Sequence, residues 1–119
     1  GGKGHDILFA TDKGDTLIGG KGQDLMFAGF GEDTFEFGLG DLDGNVDIIV
    51  GFNAEQDVIC LDFFDLSKIE ADIDHGAGTM MLEYDGKDFL QVYFAAPLSG
   101  DIGFDDLVSG GVISGVLPA

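Results

Sequence analysis

Apolar residues recur at a fixed interval of nine along the first part of the chain. Residues 1–36 divide into four rows, GGKGHDILF, ATDKGDTLI, GGKGQDLMF and AGFGEDTFE. The eighth column holds a large apolar residue in every row, namely Leu8, Leu17, Met26 and Phe35. An apolar residue at the centre of a three-residue strand turns its side chain to one face of a sheet. The rows therefore predict four short strands, each preceded by a six-residue turn.

The sixth column of the rows carries the candidate chemistry, because it reads Asp6, Asp15, Asp24 and Asp33. Rows one and three also have glycine at columns one, two and four, and glycine suits tight turns because it accepts positive φ. Eighteen residues then make one full coil, and alternate rows stack about 4.8 Å apart. This stacking places Asp6 next to Asp24, and Asp15 next to Asp33. Stacked carboxylates repel unless a cation lies between them, and calcium takes about six to eight oxygen ligands at about 2.4 Å.

Apolar segments in the second half of the chain predict further strands. Residues 46–52 and 58–61 are rich in β-branched residues, which favour strands. Residues 80–94 predict a β-hairpin, because the dipeptide Asp85-Gly86 between two apolar runs is typical of a type I′ turn.

The segment 61–73 predicts a short helix around Leu66 and Ile69. We expect this second half to cover the open end of the stacked rows, since an unpaired sheet edge invites association with other chains. The chain is therefore divided into repeats at 1–40 and a capping segment of the same domain at 41–119.

Composition narrows the possible partners. The chain has 23 acidic and 5 basic residues and a net charge of -18, which argues against nucleic-acid binding and favours divalent cations. Hydrophobic residues make up 45%, which favours a folded state over disorder. No apolar run reaches the roughly 20 residues of a membrane helix. The single Cys60 excludes an intrachain disulfide, and the sequence lacks the G-x-S-x-G and H-E-x-x-H motifs, so we predict no enzyme in this segment.

The rows resemble the nonapeptide G-G-x-G-x-D-x-U-x of the repeats-in-toxin (RTX) family, where U is a large apolar residue. Residues 44–62, GNVDIIVGFNAEQDVICLD, resemble the segment that follows the last repeat in serralysin-like C-terminal domains. The resemblance implies an all-β fold. We expect a right-handed parallel β-roll, a form of β-solenoid, followed by an antiparallel β-rich C-terminal cap with one short helix.

The resemblance also implies the calcium ligands, which come from the carbonyls of one turn, those of the turn two rows later, and both aspartates. About two to four calcium ions are expected. Row two departs from the glycine pattern, so the Asp6 side is favoured over the Asp15 side. The implied ligand residues are Gly2, Gly4 and Asp6 facing Gly19, Lys21 and Asp24; Thr11, Lys13 and Asp15 facing Ala28, Phe30 and Asp33; and Gly20, Gly22 and Asp24 facing Asp41, Asp43 or Asp47.

Several expectations about function follow from the same resemblance. The segment is expected to be the non-catalytic part of a larger, toxin-related bacterial protein that carries an upstream effector domain. Type I secretion machinery would export the chain unfolded, and extracellular calcium would fold it. The alternative is a polysaccharide- or cell-surface-binding module, similar to an adhesin, on the same calcium-bound roll.

Overall fold

The computed structural model describes residues 4–11, 13–38, 45–65, 68–95 and 102–116. Strands dominate the described part of the chain, which confirms the all-β class. The elements are β1 (Ile7–Phe9), β2 (Thr16–Ile18), β3 (Leu25–Phe27), β4 (Thr34–Gly38), β5 (Asp47–Phe52), β6 (Val58–Asp65), β7 (Ile69–Asp74), β8 (Thr79–Tyr84), β9 (Lys87–Phe94), α1 (Phe104–Ser109) and β10 (Ile113–Val116).

The four rows form four strands that alternate between two sheets. Strand β1 pairs in parallel with β3, with Leu8 opposite Met26, and β2 pairs in parallel with β4, with Leu17 opposite Phe35. Each pair is offset by eighteen residues, as the nine-residue period predicts. The stacking of alternate rows is therefore confirmed.

The second half of the chain extends both sheets. Strands β5 and β6 continue the parallel pairing on β3 and β4, with Ile49 opposite Met26 and Ile59 opposite Phe35. One sheet then has the order β1-β3-β5-β9-β8-β7, and the other has the order β10-β6-β4-β2. The β7-β8-β9 part is antiparallel, so the first sheet is mixed. The repeats and the following segment thus share two continuous hydrogen-bonded sheets.

Of the two local predictions for the second half of the chain, the hairpin is present and the helix lies elsewhere. The hairpin is confirmed, because Asp85 and Gly86 link β8 to β9 with φ of 53° and 84°, as a type I′ turn requires. The helix was expected in the wrong place. Ile69 begins β7, and the helix α1 lies at 104–109 instead, while Leu66 is outside the described residues. The residues of β7 alternate between buried and more exposed positions, and β7 pairs with β8 along its whole length. This tertiary pairing overrides the helical spacing of the apolar residues.

The core is concentrated away from the first row. Leu8 and Leu17 are only partly buried, whereas Met26 and Phe35 are completely buried. The Phe35 ring lies 5.9 Å from that of Phe52, which joins the repeats to the segment behind them. Burial therefore rises along the repeats toward the second half of the chain.

The outer face of the first sheet is also apolar. The columns beside the buried one place Phe9 opposite Phe27 and Ile7 opposite Leu25 across β1 and β3. The two phenylalanine rings stack with centroids 4.8 Å apart and planes 6° from parallel. Ile7 and Phe9 are 62% and 69% exposed.

Candidate metal centre

Six aspartates occupy equivalent positions at the ends of the turns that lead into the first six strands. We call the turns before β1, β3 and β5 the first turn column, and those before β2, β4 and β6 the second turn column. One aspartate lies at the start of each of these strands, directly before the first strand residue or, in β5, as that residue. The first column has Asp6, Asp24 and Asp47, and the second has Asp15, Asp33 and Asp57.

Each column is linked by hydrogen bonds from backbone to carboxylate. In the first column, the N–H of Asp6 donates to Oδ1 of Asp24 at 3.1 Å, and the N–H of Asp24 donates to Oδ1 of Asp47 at 2.8 Å. These bonds fix the level of each turn relative to the next. The predicted neighbourhood of Asp6 and Asp24 is therefore confirmed.

The second column repeats this arrangement. The N–H of Asp15 donates to Oδ1 of Asp33 at 3.1 Å, and the N–H of Asp33 donates to Oδ1 of Asp57 at 2.9 Å. In both columns one carboxylate oxygen of the downstream aspartate is therefore used to hold the preceding turn. The contacts of the other carboxylate oxygen differ between the columns.

Glycine shapes the first column. Gly4, Gly20 and Gly22 have φ of 92°, 81° and 94°, a region that side chains disfavour. The carbonyl oxygen of Gly4 lies where a Cβ on Gly22 would be, and Oδ2 of Asp24 lies 2.8 Å from the position of a Cβ on Gly19. The G-G-x-G spacing therefore lets two turns approach each other and lets the buried carboxylate lie against the backbone.

The second carboxylate oxygens of Asp6 and Asp24 have no hydrogen-bond partner among the described residues. Oδ2 of Asp6 and Oδ2 of Asp24 are buried and accept no hydrogen bond from the part of the chain that the structure describes, and Asp24 is 0% exposed. Burial is the main cause that raises the pKa of Asp24, and the charge of Asp6 raises that pKa further, while the hydrogen bond from the N–H of Asp6 lowers it. Buried carboxylates need a proton or a cation as compensation.

The residues of the first column fit a hard cation. Calcium prefers carboxylate and carbonyl oxygens, and the turns supply both types. Among the described residues, no group of three or more His, Cys, Asp and Glu is placed to hold a metal ion. A cation between Asp6 and Asp24 would therefore complete its shell with backbone carbonyls, as the glycine turns allow.

The second column satisfies its carboxylates internally. Oδ2 of Asp15 accepts from the N–H of Thr11 and, at 2.7 Å, from its hydroxyl, and these bonds lower the pKa of Asp15. Oδ2 of Asp33 accepts from the N–H of Gly29 at 3.0 Å. Oδ2 of Asp57 accepts from the N–H of Asn53 at 2.8 Å.

Asp57 has a raised pKa despite these bonds. Burial is the main cause, while the N–H groups of Asn53 and Asp33 lower the pKa and nearby negative charges raise it. The Asp57 carboxylate is 1% exposed. Its two hydrogen bonds thus hold a buried charge in place without any further ligand from the described residues.

The predicted ligand residues have the following places. Gly2, Asp41 and Asp43 lie outside the described residues. Lys13 and Lys21 are exposed on their turns, and Ala28 is half-buried. Of the three acidic residues that could extend the first column, the structure places Asp47 there. The placements bring together the pairs Asp6/Asp24 and Asp15/Asp33 and add Asp47, while the coordination of any ion by these residues stays a prediction.

Two residues, Asp57 and Gln56, were not placed in the second turn column from the sequence. Asp57 follows Asp33 by 24 residues rather than eighteen, so the ninefold rows do not reach it. Its signal was the Asp-x-apolar triplet that it forms with Ile59, which matches columns six to eight of a row. Gln56 donates its side-chain amide to the carbonyl of Phe30 at 2.8 Å, and no sequence signal indicated this contact.

Comparison with known families agrees with this geometry. Residues 1–41 match the family model of the RTX calcium-binding nonapeptide repeat, in four copies, which confirms the resemblance of the rows. RTX nonapeptide repeats bind calcium ions. A comparison with curated proteins finds no match. The likeness of residues 44–62 to serralysin-like domains stays a prediction.

Proposed function

We propose that the chain is a non-catalytic calcium-binding segment in which calcium holds adjacent turns of the first column together. The observation that carries this proposal is the pair of buried oxygens on Asp6 and Asp24 that have no hydrogen-bond partner within the described ranges. With these carboxylates, the carbonyls of Gly4 and Lys21 are candidate ligands. Bound calcium would supply the positive charge that offsets the repulsion between the buried carboxylates.

A second ion would lie one level further along the first column. Asp24 and Asp47 are the carboxylates at that level, and the left-handed turn at Gly20 and Gly22 supports carbonyl donation there. We propose that these levels are part of a right-handed parallel β-roll. In this proposal residues 1–40 form the roll, and residues 41–119 cap it within the same domain.

Calcium binding would be coupled to folding. A site occupied at a hundred times its dissociation constant stabilises the folded state by about 2.7 kcal/mol, if the unfolded chain does not bind. A net charge of -18 opposes the folded state when no cation is present. The first rows, where Leu8 and Leu17 are only partly buried, would depend most on the ion.

This coupling suits a secreted protein. RTX repeats are typical of secreted proteins, and none of the helices in the described residues is long and apolar enough to cross a membrane. We propose type I export of an unfolded chain from a bacterial cytosol low in calcium, followed by folding outside the cell. An effector domain upstream would carry the activity of the parent protein.

Circular dichroism and small-angle scattering of the full chain test the proposal. In chelator we expect a largely unfolded chain with an expanded radius, and in millimolar calcium a compact β-rich one. Magnesium is the control, because it demands octahedral geometry at about 2.1 Å and sheds water reluctantly. Spectra and radii that do not change with calcium would contradict the proposal.

The alternative is a binding module for a polysaccharide or a cell surface. The apolar outer face of the first sheet favours it, because exposed apolar patches often mark interaction sites. Ile7 and Phe9 provide most of that exposure on β1. Glycan-array binding in calcium tests this alternative, with Phe9→Ser as the variant expected to lose any signal.

A further inference from the structure

We infer that calcium occupies only the first turn column, and that the second turn column is closed by the protein's own donors without metal. This inference rests on the proposed function for the first column. It departs from the symmetric arrangement that the repeats imply, in which both sides of the roll bind calcium. The two columns place equivalent carboxylates in different surroundings, and those surroundings decide which column needs a cation.

The clearest contrast lies between Asp24 and Asp33. Both are buried, and both accept the N–H of the aspartate eighteen residues earlier through Oδ1. Both also donate their own N–H to the next aspartate of their column. Their Oδ2 atoms differ, since that of Asp33 accepts from the N–H of Gly29, whereas that of Asp24 accepts no hydrogen bond from any described residue.

A hydrogen bond from the turn to Oδ2 of its own aspartate is present in all three turns of the second column. An N–H four residues before the aspartate donates to Oδ2, from Thr11, from Gly29 and from Asn53 in turn. Such local bonds between a short acidic side chain and its own turn stabilise the turn without any ligand. A calcium ion at these oxygens would compete with N–H donors that already compensate the negative charge of the carboxylate.

The carbonyl groups of the second column are also engaged. The side-chain amide of Gln56 donates to the carbonyls of Phe30 and Gly31, at 2.8 and 3.3 Å. Phe30 is one of the residues whose carbonyl the resemblance assigns to calcium. A neutral amide donor therefore lies against an oxygen that the resemblance assigns to calcium, and it joins the third turn of the column to the second.

The backbone conformation of the glycines also differs between the two columns. Gly4, Gly20 and Gly22 of the first column are left-handed. In the described part of the second column, Gly14, Gly29 and Gly31 do not have positive φ. The second column is thus built from another type of turn, in which hydrogen bonds to the aspartate, rather than a metal ion, hold the backbone in place. Calcium would therefore act on one edge of the repeats, while the other edge is preorganised.

The ion count of the full chain tests this inference with a matched pair of variants. Equilibrium dialysis against saturating calcium, with the bound metal measured by atomic emission, should give about two ions per wild-type chain, one for each gap in the first column. Asp24→Asn should lose at least one of them, because Asp24 borders both gaps. Asp33→Asn should keep the wild-type number. Loss of ions from both variants, or about four ions on the wild type, would overturn the inference. A wild-type chain that binds none would instead overturn the proposed function.

A measurement on the unmodified chain guards against a variant that does not fold. In labelled protein saturated with calcium, the scalar coupling across the hydrogen bond from the Gly29 amide nitrogen to the Asp33 carboxyl carbon should persist. The Asp57 carboxyl carbon should show the same coupling to the Asn53 amide nitrogen. Disappearance of both couplings on addition of calcium, with the fold retained, would show that metal replaces the donors and would refute the inference.

Discussion

Replacement of Gly22 by alanine should destabilise the fold far more than replacement of Gly4. The two glycines have nearly equal φ, 94° and 92°, so alanine meets the same backbone penalty of about 1–2 kcal/mol at both. A Cβ on Gly22 would overlap the backbone carbonyl of Gly4, whereas a Cβ on Gly4 meets nothing within 4 Å. Overpacking of this kind adds about 1–3 kcal/mol. The extra cost is therefore about 5- to 150-fold in the folding equilibrium.

Thermal unfolding of Gly4→Ala and Gly22→Ala in saturating calcium measures this difference. For a chain of this size, the added cost should lower the Tm of Gly22→Ala by about 5–10 °C below that of Gly4→Ala. Gly86→Ala in the hairpin is a second control, because Gly86 has φ of 84° and open space around it. Equal Tm values for Gly22→Ala and Gly4→Ala would refute the close approach of the two turns.

Three further predictions concern other parts of the chain. Glu83 lies opposite Asp88, and the hydrogen bond that the protonated Glu83 carboxyl donates to the Asp88 carboxylate raises the pKa of Glu83 above its ordinary value of 4.5. Protonated Glu83 therefore stabilises the folded state. This stabilisation is fully present below pH 4.5 and is lost as the pH rises through the raised pKa of Glu83. Glu83→Gln should therefore raise Tm at pH 7 and change it less at pH 4, and equal shifts would argue against the pairing. A peptide of residues 1–40 should stay disordered, by circular dichroism, in calcium that folds 1–119, and a folded peptide would show that the cap is dispensable. Gln56→Ala should lower the free energy of unfolding by about 0.5–1.5 kcal/mol in denaturant titration, without changing the number of bound ions.

The repeats were predictable because every row has an aspartate at column six and a large apolar residue at column eight. The apolar eighth column predicted both β1-β3 and β2-β4 pairing, and the Asp column predicted which carboxylates are neighbours. The hairpin was equally local, since Asp85 and Gly86 by themselves dictate the turn. Each of these features depends on residues close in sequence or on an invariant spacing.

Other features depend on contacts that no spacing encodes. Asp57 continues the second column after a change of spacing, and the long-range pairing of β6 on β4 brings it into line. Residues around Ile69 have helical spacing, yet β8 offers a pairing edge that makes them a strand. The sequence also shows an equivalent Asp in both columns. The donors around each carboxylate, which distinguish Asp24 from Asp33, become visible only in the structure.

The central claim is that calcium lies between the carboxylates of Asp6 and Asp24. Diffraction from crystals of the full chain grown in millimolar calcium, recorded at a long wavelength where calcium scatters anomalously, tests it directly. We predict an anomalous peak at about 2.4 Å from Oδ2 of both aspartates. Well-ordered turns around Asp6 and Asp24 with no anomalous peak between them would contradict the claim.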